Sequence, residues 1–351
     1  MTSEAFPADI AIPVEEVPDW ILRKRGRLEQ LVGPEWYRLL HGVATNPLSV
    51  AGTIIVAFFM LVAALAPVLA PKVRPNADPY LIPRDGFKEI PFAPGTAWER
   101  EPPPVPAWYK TIIRKDEWVH LMGVAPGGWD IYYGIIWGTR TALRAGFLVT
   151  FTTVTLGLIV GSISAFYGGW VDELLMRLTE IVMAFPFLLA ALTLSAILVP
   201  KFGRGIWPPM IALIAFGWTR YARVIRGEIL SAKERDYVLA ARVVGARDIR
   251  LILRHLLPNT INPILVLASF RLGDAVLSFA ALSFLGVGTP IGYADWGQII
   301  SFARSWILNL DTHWYIIVYP GLALIIFGLG WNLIGDALRD ILDPKLRGER
   351  G

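Results

Sequence analysis

Arg235-Asp236-Tyr237-Val238-Leu239-Ala240-Ala241-Arg242-Val243-Val244-Gly245-Ala246, running on to His255-Leu256-Leu257-Pro258-Asn259, is a charged, helix-prone segment between two long apolar runs. The spacing predicts two short helices meeting at a bend. Small side chains at Ala240 and Ala241 let a helix enter a narrow groove. Gly245 permits a backbone turn that other residues resist. Pro258 suits a breakpoint where the next apolar helix begins. Arg235, Asp236, Arg242 and Asp248 are placed to make rim contacts that orient a docked helix. Set on the cytoplasmic side of a membrane protein, such a unit is built to be held by a soluble partner.

The rest of the chain supplies the membrane. Of its 351 residues 54% are hydrophobic and 18% charged, the mean hydropathy is +0.50, and the charge is clustered between apolar runs, which is the pattern of a polytopic membrane protein. Spanning a bilayer takes roughly 20 apolar residues. The runs that qualify are Val50–Ala70, Ala145–Phe166, Ile181–Pro200, Gly205–Thr219 (continuing as helix towards Leu230), Ile261–Leu285 and Trp314–Gly335. The reading is therefore an all-α polytopic membrane protein of about six spans. It has a segment 1–47, a first transmembrane helix 48–71, a long irregular loop 72–140, a five-helix core 141–335 with a coupling loop 231–258, and a tail 336–351. The first residues carry Glu4, Asp9, Glu15 and Glu16 and do not read as a secretory leader.

Orientation follows from Lys and Arg in the short loops. Arg220, Arg223, Arg226, Lys233, Arg235, Arg242, Arg247, Arg250 and Arg254 fall in one of them, and Arg339, Lys345, Arg347 and Arg350 in the tail. The opposite side has Lys201, Arg204 and Arg304. Both termini and the basic loop are expected in the cytoplasm, in a multi-pass protein of the cell inner membrane. The 72–140 loop is then external. Its prolines, among them Pro102-Pro103-Pro104, forbid long helices, and its aromatics, including Trp98, Trp108 and Trp118, argue for a packed irregular cap. Contact with an external protein partner is the alternative role for that surface.

Several chemistries are excluded. Net charge is only +4, with no basic, aromatic-interleaved soluble domain, so nucleic acid is not a partner; membrane lipid is. The absence of cysteine removes disulfides, thiolate metal sites and cysteine nucleophiles. His41, His120, His255 and His313 are scattered, so no metal site is expected. No catalytic set stands out. There is no G-x-x-x-x-G-K-[ST] phosphate loop, so any ATP hydrolysis must come from a separate subunit. Two ionisable residues do stand out. Arg271 and Asp274 lie three apart in an apolar helix and share a face. Intramembrane charges are costly and face a pore or each other; both readings are open, a translocation path or an ion pair that locks helices together. Glu180 reads as an interface residue at the membrane edge.

The opening stretch resembles the cytoplasmic coupling loop of permease subunits of ATP-binding-cassette importers. The general signature of that family is Glu-Ala-Ala, three residues, Gly, nine residues, Ile, one residue, Leu-Pro. Here Leu239 and His255 replace the glutamate and the isoleucine. The variant of the dipeptide/oligopeptide branch is matched at Tyr237, Val238, Ala240, Ala241, Arg242, Gly245, Arg254, His255, Leu257, Pro258 and Asn259. Tyr167-Gly168-Gly169-Trp170-Val171-Asp172 with Ala184-Phe185-Pro186, Ala281–Gly288 with Trp296-Gly297, and Asn332–Asp336 with Leu342-Asp343-Pro344 resemble further family motifs. The external loop is longer than the family pattern, and Gly123–Asp130 matches it loosely. The resemblance implies a non-catalytic permease of a peptide importer, of the second-permease type. It also implies a homologous second permease, two cytoplasmic ATPase subunits that bind ATP and Mg, and an external solute-binding protein. ATPase coupling would fall to Arg235, Asp236, Tyr237, Val238, Ala240, Ala241, Arg242, Gly245 and Ala246. The mechanism implied is alternating access. Nickel–chelate, glutathione or oligosaccharide cargo fits the same importer class; a stand-alone ion-coupled carrier and a membrane enzyme are the rivals outside it.

Overall fold

A computed structural model describes residues 46–100 and 102–342. The expected cytoplasmic segment 1–45 and the tail from 343 onwards, with the Asp343-Pro344 part of the C-terminal motif, lie outside the described residues.

The chain is helical apart from its cap. Helix α1 spans Pro47–Leu69; Asn46 caps it by accepting from the Leu48 amide, with proline at the first helical position, where no amide hydrogen is needed. The cap follows from residue 71 to residue 130. It holds one short helix, α2 (Ala107–Ile112), and a two-stranded antiparallel ladder of β1 (Val124–Ala125) and β2 (Trp129–Asp130). Then come α3 (Ile131–Tyr167), α4 (Gly169–Met183), α5 (Phe187–Phe202), α6 (Trp207–Gly217), α7 (Thr219–Ala232), α8 (Asp236–Val243) and α9 (Asp248–Arg250). A π-helical stretch Leu251–Leu256 leads into α10 (Leu257–Thr260) and α11 (Asn262–Phe284). After a loop come α12 (Trp296–Phe302), a 3-10 stretch Ala303–Asn309, α13 (Leu310–His313) and α14 (Tyr315–Leu342).

Four of these helices, α1, α3, α11 and α14, are long and apolar enough to cross a membrane, or five spans if α4 and α5 count as one. Six were expected, and the differences lie in the third and fourth. The third breaks at Ala184-Phe185-Pro186 into α4 and α5, bent by 87°. Proline lacks the amide hydrogen and disfavours helix in the residue before it, so the chain turns there. The fourth divides at Trp218 into apolar α6 and charged α7.

The cap boundary also moves. Helix α3 begins at Ile131, not at residue 141, because Asp130 caps it by accepting from the Tyr133 amide. Arg140 and Arg144 sit inside this helix, with their guanidinium groups over the rings of Trp137 and Tyr80. At the other end, α14 carries on to Leu342, past the expected tail boundary at residue 336.

The cap is a packed unit with its own aromatic core. Tyr109, Trp118, Tyr132, Tyr133 and Trp137 are buried together with Tyr315 and Ile316 of α14. Three donors tie off the end of α1: Trp108 Nε1 and the Tyr132 hydroxyl reach the Leu69 carbonyl at 3.2 and 3.0 Å, and Trp137 Nε1 reaches the Ala70 carbonyl at 2.9 Å. Those carbonyls have no partner within the helix, so the cap supplies one. At its centre His120 is fully buried between two carboxylates. Its Nδ1 is 2.6 Å from Asp130 and its Nε2 is 3.2 Å from Asp85. Asp85 also accepts from the Glu99 and Arg100 amides at 2.9 Å. Burial pushes the Asp85 carboxyl up, but hydrogen bonds from the Glu99 amide, His120 and the Arg100 amide outweigh it and hold it below its ordinary value.

In the bundle, α3 packs along α7, and α14 lies against α1 and α11. The α3–α7 contact runs through Gly157 and Gly161. A Cβ on Gly157 would sit 2.3 Å from Tyr221 Cβ, and one on Gly161 would sit 2.3 Å from the Ala222 carbonyl oxygen. This G-x-x-x-G spacing brings the two backbones together, the device that replaces hydrophobic driving force between helices in lipid.

Candidate functional site: a projecting helical unit and a cavity joined by one helix

The projecting unit is α8, a glycine turn and the helical run from Asp248 to Thr260. Gly245 has φ +85°. Around it the Gly245 amide donates to the Arg242 carbonyl and the Ala246 amide donates to the Ala241 carbonyl, both at 3.0 Å. This is a Schellman termination of α8, whose left-handed residue is strained for any β-branched side chain. No atom lies within 4 Å of where a Gly245 Cβ would stand, so the constraint is backbone conformation and not space. Gly245→Val is therefore expected to cost about 1–3 kcal/mol locally, read as faster hydrogen exchange at the Ala246 amide. Gly245→Asn, which tolerates the left-handed region, should retain most of the protection. Equal loss in both variants would show that the turn is not what matters.

One face of the unit is anchored. Val238 is fully buried with Ile225 and Ile229 of α7, Leu251, Leu256 and Ala165 of α3. Ala241 and Ala246 pack on the same cluster. Of the alanine pair expected to enter a groove together, Ala240 is exposed, whereas Ala241 faces the chain's own core. The other face is open. Val243 and Val244 are 87% and 88% exposed, beside exposed Arg235, Asp236, Arg242, Arg247 and Asp248, with Tyr237 and Leu239 also exposed. An apolar tip with a charged rim on an anchored helix is what a protein-docking surface needs.

The base of the unit is held by an ion pair that sequence reasoning did not single out. Arg226 of α7 binds Asp172 of α4 in a bidentate arrangement, Nε to Oδ1 at 2.6 Å and Nη2 to Oδ2 at 2.5 Å. The Ser164 hydroxyl of α3 donates to the same carboxylate, and Lys233 Nζ reaches the Ala165 carbonyl at 3.3 Å. The fork geometry fixes orientation as well as adding energy. The signal available was Asp172 directly behind the Gly168-Gly169 turn, but its partner lies 54 residues on.

The cavity lies at the far end of α7. Its volume is about 220 Å³, and it is lined from α3, α6, α7 and α11 and from the Phe185-Pro186 break between α4 and α5. Arg271 and Asp274 both face it, with Nη1 3.5 Å from Oδ2 and side chains 29% and 58% exposed. Both residues belong to α11, so their ion pair is internal to one helix and does not itself lock two helices together. Arg220, assigned from sequence to the basic loop, stands on the cavity wall at the start of α7 instead. Sequence reasoning missed it because a positive-inside count cannot tell a loop arginine from one within the next helix. Glu180 is exposed and 3.7 Å from Arg177 on its own helix, as a surface residue would be.

Tyr221 belongs both to the cavity wall and to the cluster that buries Val238. Helix α7 therefore connects the two sites through continuous packing. Among the described residues no group of side chains could hold a metal ion.

Long apolar helices, a broken one beside a cavity that holds charged side chains, and an anchored helical unit with an exposed face define a membrane-spanning transport subunit. Residues 154–348 match the family described as "Binding-protein-dependent transport system inner membrane component", and the chain belongs to that family. Similar proteins include a provisionally named peptide transport system permease of Brucella suis, 42% identical over 66% of this chain and 75% of that protein. The dipeptide transport system permease protein of Alkalihalophilus pseudofirmus is 30% identical over 89% of this chain and 90% of its own length. A glutathione transport system permease protein of Pectobacterium atrosepticum is 36% identical over 65% of this chain and 73% of that one. Among solved structures, the inward-facing MetNI methionine ABC transporter is 16% identical with a TM-score of 0.48, covering 60% of this chain and 97% of that one.

Proposed function

We propose that this chain is a permease subunit of an importer for peptides, moving them inward by alternating access. Separate ATPase subunits grip the α8 unit. Two such subunits, a homologous second permease and an external solute-binding protein complete the assembly, and both termini face the cytoplasm. The observation that carries this reading is the position of α7, with the docking unit packed at one end and the cavity at the other. A displacement of α8 must move Tyr221 and Arg220, because packed cores resist continuous deformation. The relatives named for peptides and dipeptides support the cargo. Glutathione, itself a tripeptide and named for another relative, belongs in the first solute screen.

Affinity purification through this chain in mild detergent is expected to recover a second permease and two ATPases. The reconstituted complex should take up peptide only with ATP and the binding protein. Isolation of the chain alone, intact and monodisperse, would overturn the reading. On the path reading, Asp274→Asn should lower uptake roughly tenfold, the scale of about 1.4 kcal/mol for one charge-assisted contact, with assembly intact. Loss of the assembled complex would instead assign Asp274 a structural role.

A further inference from the structure

The charge in the cavity is unbalanced. Of the ionisable side chains lining it, Arg220 and Arg271 are cationic and Asp274 alone is acidic. Asp274 lies at 3.5 Å from Arg271, while Arg220 makes no ion pair among the described residues. Arg220 is exposed on that wall, and a guanidinium without an ion pair is available to an anionic group. Thr150 lines the same wall, and its buried hydroxyl has no hydrogen-bond partner among the described residues. The helix break at Phe185-Pro186 falls at this point, where irregular backbone is tolerated only because it lines a cavity.

We propose that this cavity is a subsite for a carboxylate group of the transported solute, received by Arg220 and Arg271 with Thr150 as a neutral donor. Asp274 is the counter-ion of Arg271 when the subsite is empty, and the arriving carboxylate competes with it. A guanidinium offers a planar fork that matches a carboxylate, so two of them give an anion site with orientation as well as charge. A solute with a free carboxyl end is then favoured over its amide. This inference rests on the cavity being part of the translocation path.

The absence of cysteine in the chain makes the test direct. Ser278 lines the cavity and is half-buried, so Ser278→Cys places one thiol there. The full complex, in vesicles of zwitterionic lipid only, is treated with an anionic and a cationic methanethiosulfonate reagent of equal size, and labelling of this chain is followed by mass. The anionic reagent should react on the order of tenfold faster, because a cationic cleft concentrates anions. Adding Arg220→Gln or Arg271→Gln should bring the ratio towards one. A free dipeptide should slow labelling more than the same dipeptide as its C-terminal amide. Labelling that changes between ATP-free and vanadate-trapped states but shows no preference for charge would overturn the carboxylate subsite and leave the path standing. Labelling that is absent, or unchanged by nucleotide state, would overturn both. Anionic preference that is abolished when anionic lipid is added, and is not altered by a free dipeptide, would assign the arginines to lipid headgroups and overturn the proposal.

Discussion

Replacing His120 by alanine is expected to destabilise the cap by about 3–5 kcal/mol, the cost of leaving buried charge without its partner. Asp85 and Asp130 would then lose the donor between them. Asp130 would keep the Tyr133 amide, and Asp85 the Glu99 and Arg100 amides. The measurement is hydrogen exchange at the Glu99, Arg100 and His120 amides, the last of which donates to the Thr96 carbonyl at 2.9 Å. Exchange in the variant should speed up by two to three orders of magnitude, on the order of 3–4 kcal/mol. Unchanged protection would mean that the aromatic core alone holds the cap. The acid side has a definite sign. Asp85 is held below its ordinary value of 3.8, so its contribution is complete above that pH and is lost as pH falls through it and below.

The second large effect is expected at Gly161. Leucine there puts its Cβ against the Ala222 carbonyl oxygen and within 2.4 Å of Ile225 Cγ2. A backbone carbonyl cannot rotate away, so α3 and α7 must separate. Overpacking of this kind costs upwards of about 3 kcal/mol, and the separation also opens the cluster that anchors Val238. The complex carrying Gly161→Leu should fail to elute as a monodisperse peak. Gly227 on α7 is the control. Nothing lies within 4 Å of a Cβ at that position, and Gly227→Ala should be neutral or slightly stabilising. If Gly161→Leu assembles as well as Gly227→Ala, the close approach of the two helices is not what builds the bundle.

What the sequence made legible divides along physical lines. The projecting unit could be read residue by residue because its signals are local: a glycine turn at Gly245, a helix of small and branched residues before it, a proline after it. Arg271 and Asp274 were legible because charge in an apolar run is conspicuous at any distance. The partners of buried groups were not. Asp172 meets Arg226, and His120 meets Asp85, across 54 and 35 residues, and no local pattern announces such pairs. Arg220 was counted with the basic loop although helix was expected to run on towards Leu230, and no local pattern says that the first turn of that helix faces a cavity. The start of α3 was misplaced because Arg140 and Arg144 interrupt the apolar run, although Asp130 three residues before Tyr133 is an ordinary capping signal. The break at Phe185-Pro186 lies within a stretch apolar enough to read as a plain span.

Helix α3 has a mechanical consequence. At 37 residues it is about 55 Å long, against roughly 30 Å of hydrocarbon, so it is one stiff beam with the cap seated on one end and the Asp172–Arg226 clamp at the other. A tilt of about 10° about one end would swing the other by roughly 10 Å at that length. Leverage of this kind makes the cap a flywheel on the same shaft as the clamp. Whatever weight or tether rests on the cap is therefore felt at the Asp172–Arg226 end of the same helix.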